Sequence, residues 1–125
     1  MTMTQQQTMR IGEVADRTEL SFRTLRHYDE IGLVAPSART DGGFRLYTDG
    51  DVARILLIRR MKPLGYSLDE MRELLDVVDA LTETPDDASL RTRLRAIRTE
   101  AAERREKLTR QVAMADEFLE KLTDI

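Results

Sequence analysis

From Asp87 to Thr123 the chain has neither proline nor glycine, and its apolar residues keep one spacing. Nothing in that run breaks a helix, and at 1.5 Å per residue it would reach on the order of 50 Å. Steps of four and three pick out Leu90, Leu94, Ile97, Ala101, Arg104, Leu108, Gln111, Ala115, Phe118, Leu122 and Ile125. Nine of these eleven are apolar while the rest of the segment is mostly charged, so the helix carries one apolar stripe. Such a stripe must be buried on something. The preceding residues offer too small a core to cover its whole length. A second copy of the same helix is the economical partner, and the alternative is the chain's own N-terminal part. The two polar stripe positions, Arg104 and Gln111, are candidates for setting the register of a helix pair.

The remaining composition narrows the function classes. A chain of 125 residues makes one small domain plus, at most, one extended element. Trp is absent and aromatics are few, so the core must be aliphatic. The absence of cysteine removes disulfides, thiolate metal sites and thiol redox sensing together. His27 is the single histidine, which leaves little for a metal site, and no cofactor is expected. No Ser/His/Asp set or Gly-rich phosphate loop points to an enzyme, and Asp86 and Asp87 read as acids in a first helical turn. No apolar run approaches a membrane span and no signal-peptide pattern opens the chain, so a soluble cytoplasmic protein is the expectation. Net charge is −3, but it is unevenly spread. Residues 1–66 hold 10 Lys and Arg against 8 Asp and Glu, and residues 67–125 hold 10 against 15. Arginine suits bidentate phosphate and base contacts, and it is the dominant cation, with 17 Arg to 3 Lys.

Residues 1–8 are polar and read as a disordered tail. A short helix over 11–18 would place Ile11, Val14 and Ala15 on one face. Glu19-Leu20 then makes a tight turn, and Ser21 caps a second helix running to about Ile31, with Gly32 just past its end. After a loop containing Pro36, Asp41-Gly42-Gly43 is a turn signal between short extended runs, which predicts one β-hairpin over 39–47. Thr48 with Asp51 resembles a capping box for a helix to about Leu64 burying Val52, Ile55, Leu56 and Met61. Ser67 with Glu70 is a second capping box, opening a helix with Leu68, Met71, Leu74, Leu75, Val78 and Leu81. Thr84-Pro85 reads as cap and first residue of the long helix. The divisions are a tail at 1–8, a head at 9–81, a linker at 82–87 and the long helix at 88–125.

The second helix has an informative face. Arg23, Arg26, His27 and Glu30 share one stripe, and Phe22, Leu25 and Tyr28 fall toward the core. A basic stripe on a short helix that follows a helix and a tight turn is the form of a recognition helix, able to enter a DNA major groove. An ordinary solvated face fits that stripe equally well. In the following strand, alternation puts Phe44 and Leu46 inward and Arg45 and Tyr47 outward, with Arg39 across the hairpin. A basic, aromatic outer face beside such a helix is the form of a wing that grips phosphates.

Five ordered motifs then carry a resemblance. Ile11-Gly12-Glu13-Val14-Ala15, Thr24-Leu25-Arg26-His27-Tyr28, Gly32-Leu33-Val34, Gly43-Phe44-Arg45-Leu46-Tyr47 and Leu64-Gly65-Tyr66-Ser67-Leu68-Asp69-Glu70 resemble the MerR family of bacterial regulators. The match in order and spacing runs across roughly residues 10–81. The resemblance implies a mainly α fold: a winged helix-turn-helix with one small hairpin, and a long C-terminal helix pairing as an antiparallel coiled coil. It implies a homodimer on double-stranded promoter DNA with an inverted repeat, deforming the spacer so that RNA polymerase engages both promoter elements. Carried onto this chain, Ser21, Arg23, Thr24, Arg26, His27 and Tyr28 are the implied helix contacts, Arg39, Arg45 and Tyr47 the wing contacts, and Tyr66 a second-wing contact. Leu90, Leu94, Ile97, Ala101, Leu108, Ala115, Phe118 and Leu122 are the implied dimer contacts. His27 stands where the family usually has Tyr or Phe. Metal- and redox-sensing members use cysteines, and drug-sensing members append a ligand domain. This chain lacks the cysteines and stops at Ile125, so the resemblance names no effector. A non-transcriptional architectural or excisionase-like winged-helix protein is the alternative, as is an interaction protein built on the coiled coil.

Overall fold

The structure, a computed structural model, describes residues 7–125; of the expected N-terminal tail, residues 1–6 lie outside the described part. In order the elements are β1 (Met9–Arg10), α1 (Ile11–Thr18), α2 (Phe22–Glu30), β2 (Ala38–Arg39), β3 (Arg45–Tyr47), α3 (Asp49–Met61), a 3₁₀ turn (Lys62–Leu64), α4 (Leu68–Glu83) and α5 (Ala88–Thr123). The chain divides into two compact units, residues 1–72 and 73–125, and the division falls inside α4.

In the first unit α1 and α2 are joined by a tight turn. Glu19 closes α1 in the left-handed region at φ 57, uncommon for a residue with a Cβ and suited to an abrupt reversal. Ser21 then caps α2, its Oγ accepting from the Thr24 amide at 3.1 Å. At the other end Gly32 takes φ 70, its amide donates to the Asp29 carbonyl, and the Leu33 amide donates to that of Tyr28. These two bonds form a Schellman closure, with Leu33 and Tyr28 both buried at its seam. Arg72 adds a guanidinium that donates to the carbonyls of Ile31 and Gly32, placing a cation on the negative end of α2.

The sheet has one strand more than the hairpin predicted. β3 lies centrally in the order β1-β3-β2, antiparallel to both neighbours, with Met9 opposite Tyr47 and Arg39 opposite Arg45. β1 is two residues long, too short to show a period of two in the sequence. Its addition makes β3 an inner strand, and the burial along β3 differs from the expected one. Tyr47 is fully buried and Phe44 is 62% exposed, where the alternation had predicted the opposite. Arg45 and Leu46 between them are both half-buried, so burial rises along the strand toward Tyr47 rather than alternating. Arg45 is held within the fold by the Asp29 carboxylate of α2.

Thr48 and Asp51 form the expected capping box at α3, and Asp51 also accepts from the amide and hydroxyl of Ser37 at 3.0 and 2.7 Å. One buried carboxylate thus starts α3 and anchors the chain entering β2. α3 buries Val52, Ile55, Ile58 and Met61. Ile58 is fully buried, whereas the expected Leu56 is half-buried. Each such aliphatic side chain removed from water stabilises the fold by about 1.5–3 kcal/mol. Pro63 sits in the 3₁₀ turn, and Gly65, at φ 82, ends it. The Ser67–Glu70 capping box is present in both directions, at 2.8 and 3.1 Å. Leu68 is exposed rather than buried.

In the second unit the cap of α5 is Asp87, whose side chain accepts from the Leu90 amide at 2.9 Å, so the Thr84-Pro85 start is corrected. Thr84 instead donates through its hydroxyl to the Ala80 carbonyl. α5 extends unbroken for 36 residues. An ion pair between Glu73 and Arg93 ties α4 to the first half of α5.

Candidate nucleic-acid interface

α2 exposes Arg23, Arg26 and His27 to solvent, with Thr24 half-buried and Leu25 and Tyr28 turned into the core. The separation follows from a nine-residue helix whose apolar positions are three apart. Phe22 departs from the expected core position. It is exposed at the first turn, where its ring lies under the Arg26 guanidinium at 5.7 Å and beside Gly12. Arg23, Thr24, Arg26, His27, Glu30, an edge of Tyr28 and Lys62 line an open cleft of about 760 Å³. Lys62 is shared with a neighbouring cleft lined by Arg59, Arg60 and Pro63. The basic surface therefore continues past the recognition helix. Sequence reading missed Lys62, Arg59 and Arg60, because nothing in their spacing relates the end of α3 to α2.

The wing arginines are not loose. Arg39 Nη2 and Arg45 Nε both donate to Asp29 Oδ2, each at 2.7 Å. Asp29 belongs to α2, so recognition helix and wing share one carboxylate. Burial alone would push the Asp29 carboxyl up, but the hydrogen bonds and charges of Arg45 and Arg39 outweigh it and hold the group below its ordinary value. Sequence reading did not single out Asp29, since its partners lie 10 and 16 residues away. Phe44, at the wing turn, is stacked by the Arg10 guanidinium at 5.3 Å.

Tyr47 does not join this outer surface. Its hydroxyl is buried without a hydrogen-bond partner among the described residues, and burial pushes its phenol up. Tyr66 is half-buried in the turn before α4. Ser21 is exposed but its oxygen is engaged in capping. Among the described residues no group of three or more His, Cys, Asp or Glu is placed to hold a metal, and no helix is long and apolar enough to cross a membrane.

The expected dimer contacts separate into two sets. Leu90, Leu94, Ile97 and Ala101 are half-buried along with Arg104. Leu108, Ala115, Phe118 and Leu122 are exposed, as is every residue after Arg104, and Phe118 reaches 63%. Val112, Met114 and Leu119 widen that bare apolar strip beyond the predicted stripe.

A helix-turn-helix with an arginine-bearing wing and a basic outer helix face defines a winged-helix head. A family profile described as MerR HTH family regulatory protein matches residues 9–77, and one described as MerR, DNA binding matches residues 52–124. The chain belongs to the MerR family. It is 48% identical over 66 residues to the HTH-type transcriptional activator mta of Bacillus subtilis, a stretch covering 53% of this chain and 26% of that protein. Relatives of this kind are matched over only about a quarter to a half of their own length. A MerR-family transcriptional regulator from Bacillus cereus has the same fold with a TM-score of 0.66 and 29% identity, covering 94% of this chain and 79% of that one. HiNmlR, a MerR-family regulator lacking the sensor domain and solved bound to promoter DNA, shares the fold with a TM-score of 0.66 at 24% identity, covering 93% and 85%.

Proposed function

We propose that this chain is a DNA-binding transcription regulator, acting in the cytoplasm as a homodimer on an inverted-repeat promoter site. The observation that carries the reading is the exposed Arg23, Arg26 and His27 face of α2 beside a wing whose two arginines are tied to that same helix. Membership of a regulator family, and promoter DNA bound to a protein of the same fold, support it.

In this reading α2 enters the major groove. Arg23 and Arg26 reach base edges or phosphates, and Thr24 and His27 add shorter contacts. Arg39 and Arg45 hold the backbone from the wing, and Tyr66 does so from the turn before α4. Tyr47 supports the wing from inside and makes no phosphate contact, and Tyr28 acts chiefly as a core residue. Lys62, Arg59 and Arg60 extend the backbone footprint. The head is taken to run to the end of α4 at Glu83, two residues beyond the expected boundary, so the linker shortens from 82–87 to 84–87, and α5 joins two copies.

The bare strip through Leu108, Ala115, Phe118 and Leu122 supports dimerisation, and the charges on α5 support an antiparallel pair. Residues 88–110 carry eight Arg and Lys against three Glu, and residues 111–125 one Lys against four Asp and Glu. Antiparallel copies bring each basic half beside an acidic half, while parallel copies oppose like to like. Two heads then straddle one face of a duplex, and distortion of the spacer between them controls engagement by RNA polymerase.

Footprinting on the DNA upstream of the chain's own gene tests the reading. The expected result is two protected half-sites about a helical turn or a small multiple of it apart, with affinity falling steeply as salt rises. Absence of any shift at low salt would overturn it, and equal protection of unrelated DNA would point instead to an architectural protein.

A further inference from the structure

We infer that Asp29 is a positioning residue for DNA binding, holding Arg39 and Arg45 together on the recognition helix so that the wing meets the DNA backbone as a preset pair of guanidiniums. The inference rests on the DNA-binding reading above.

Arg39 and Arg45 stand directly opposite one another across β2 and β3. Like charges in that relation push a strand pair apart. Asp29 turns the repulsion into a three-centre arrangement, because one carboxylate oxygen receives both guanidiniums at 2.7 Å. The Asp29 side chain is 10% exposed, and a carboxylate so enclosed is costly unless it is paired, so each partner holds the others. Neither arginine has a further protein acceptor among the described residues, and with the Arg39 side chain 46% and the Arg45 side chain 24% exposed, the N–H groups that reach solvent are the ones to meet phosphate oxygens. The cluster keeps a net positive charge. Asp29 lies in α2 two residues from His27, so the arginines are indexed to the helix that bears Arg23, Arg26 and His27. Two long, flexible side chains are thereby ordered before DNA arrives, which removes part of the entropy cost of binding.

The sign of one substitution separates this role from a simple electrostatic one. A carboxylate near DNA repels phosphate, so on charge alone Asp29→Asn should tighten binding and steepen its salt dependence. Positioning predicts the reverse. The probes are two labelled duplexes of equal length, the chain's own upstream region and an unrelated sequence, titrated with the full chain by fluorescence anisotropy across a salt series. For a folded, dimeric Asp29→Asn variant we expect about tenfold weaker binding to the upstream duplex. We also expect a log K against log salt slope shallower by about one to two units, since each phosphate contact contributes about 0.9. The Arg39→Ala/Arg45→Ala variant should lose as much, and Asp29→Asn added to it should lose nothing more. Binding by Asp29→Asn that equals or exceeds the unaltered chain, or losses that add, would overturn the inference. If Asp29→Asn does not fold, Asp29→Glu carries the test: it keeps the charge but displaces the carboxylate by one methylene. A weaker, shallower response supports positioning, and unchanged binding overturns it. Failure of the unaltered chain to bind either duplex is a separate result, which removes the DNA-binding reading before any variant is compared.

Discussion

Asp29 is ionised at lower pH than an ordinary carboxyl because Arg45 and Arg39 favour its charged form more than burial disfavours it. The consequence for stability has a definite sign. A carboxyl whose folded pKa is depressed contributes stability that is present above its unfolded pKa and is lost as pH falls toward the folded value. The stability difference between the unaltered chain and Asp29→Asn, read from urea unfolding, should hold constant near neutrality and shrink below about pH 3.9, the ordinary aspartate value. A difference that does not change with pH would show that the charge is not what matters. Tyr47 presents the opposite case. Its hydroxyl lost water on folding and gained no partner among the described residues. Tyr47→Phe should therefore leave stability unchanged or raise it by up to about 1 kcal/mol, with no change in DNA affinity. A clear loss of either in denaturation or binding assays would mean that the hydroxyl is engaged.

α2 is only nine residues long, so its two ends decide whether it forms. Ser21 supplies the N-terminal acceptor, and Ser21→Ala should cost about 1 kcal/mol, seen as a lowered urea midpoint. At the other end Gly32 holds φ 70, and Gly32→Ala should cost about 1 kcal/mol because a Cβ strains that conformation. Both losses should appear in global unfolding, since Leu25 and Tyr28 belong to the core of the first unit. α5 is a different kind of element. Its ends are capped, but no residue along it is buried. Length and propensity keep it helical, while its apolar strip lacks cover from Leu108 onward.

The proposed dimer supplies that cover. Phe118→Ala with Leu122→Ala should move the protein from dimer to monomer mass in light scattering and leave the unfolding of residues 1–72 nearly unchanged. A mass that stays dimeric would place the interface elsewhere. If opposite charges along α5 orient the pair, raising salt should also weaken the dimer, with screening over about 10 Å at 0.1 M. Salt-independent association would leave orientation to packing alone.

Much of this was legible in the order of residues, because the signals are local. Ser21, Thr48-Asp51 and Ser67-Glu70 satisfy backbone groups within one turn, so a reader of sequence meets both partners together. The 36-residue span of α5 was readable for the same reason: nothing in it interrupts a helix. The basic face of α2 followed from spacing, and the family from five motifs in order.

What spacing could not supply was burial and partnership. That Tyr47 rather than Phe44 is buried, and that Arg45 is held half-buried by Asp29, depends on segments distant in sequence that pack beside β3. Alternation along a strand fixes which residues share a face, but how deeply each is buried comes from what packs against it. Asp29 and Lys62 likewise acquire meaning only when the chain folds back and brings charges distant in sequence within reach of α2.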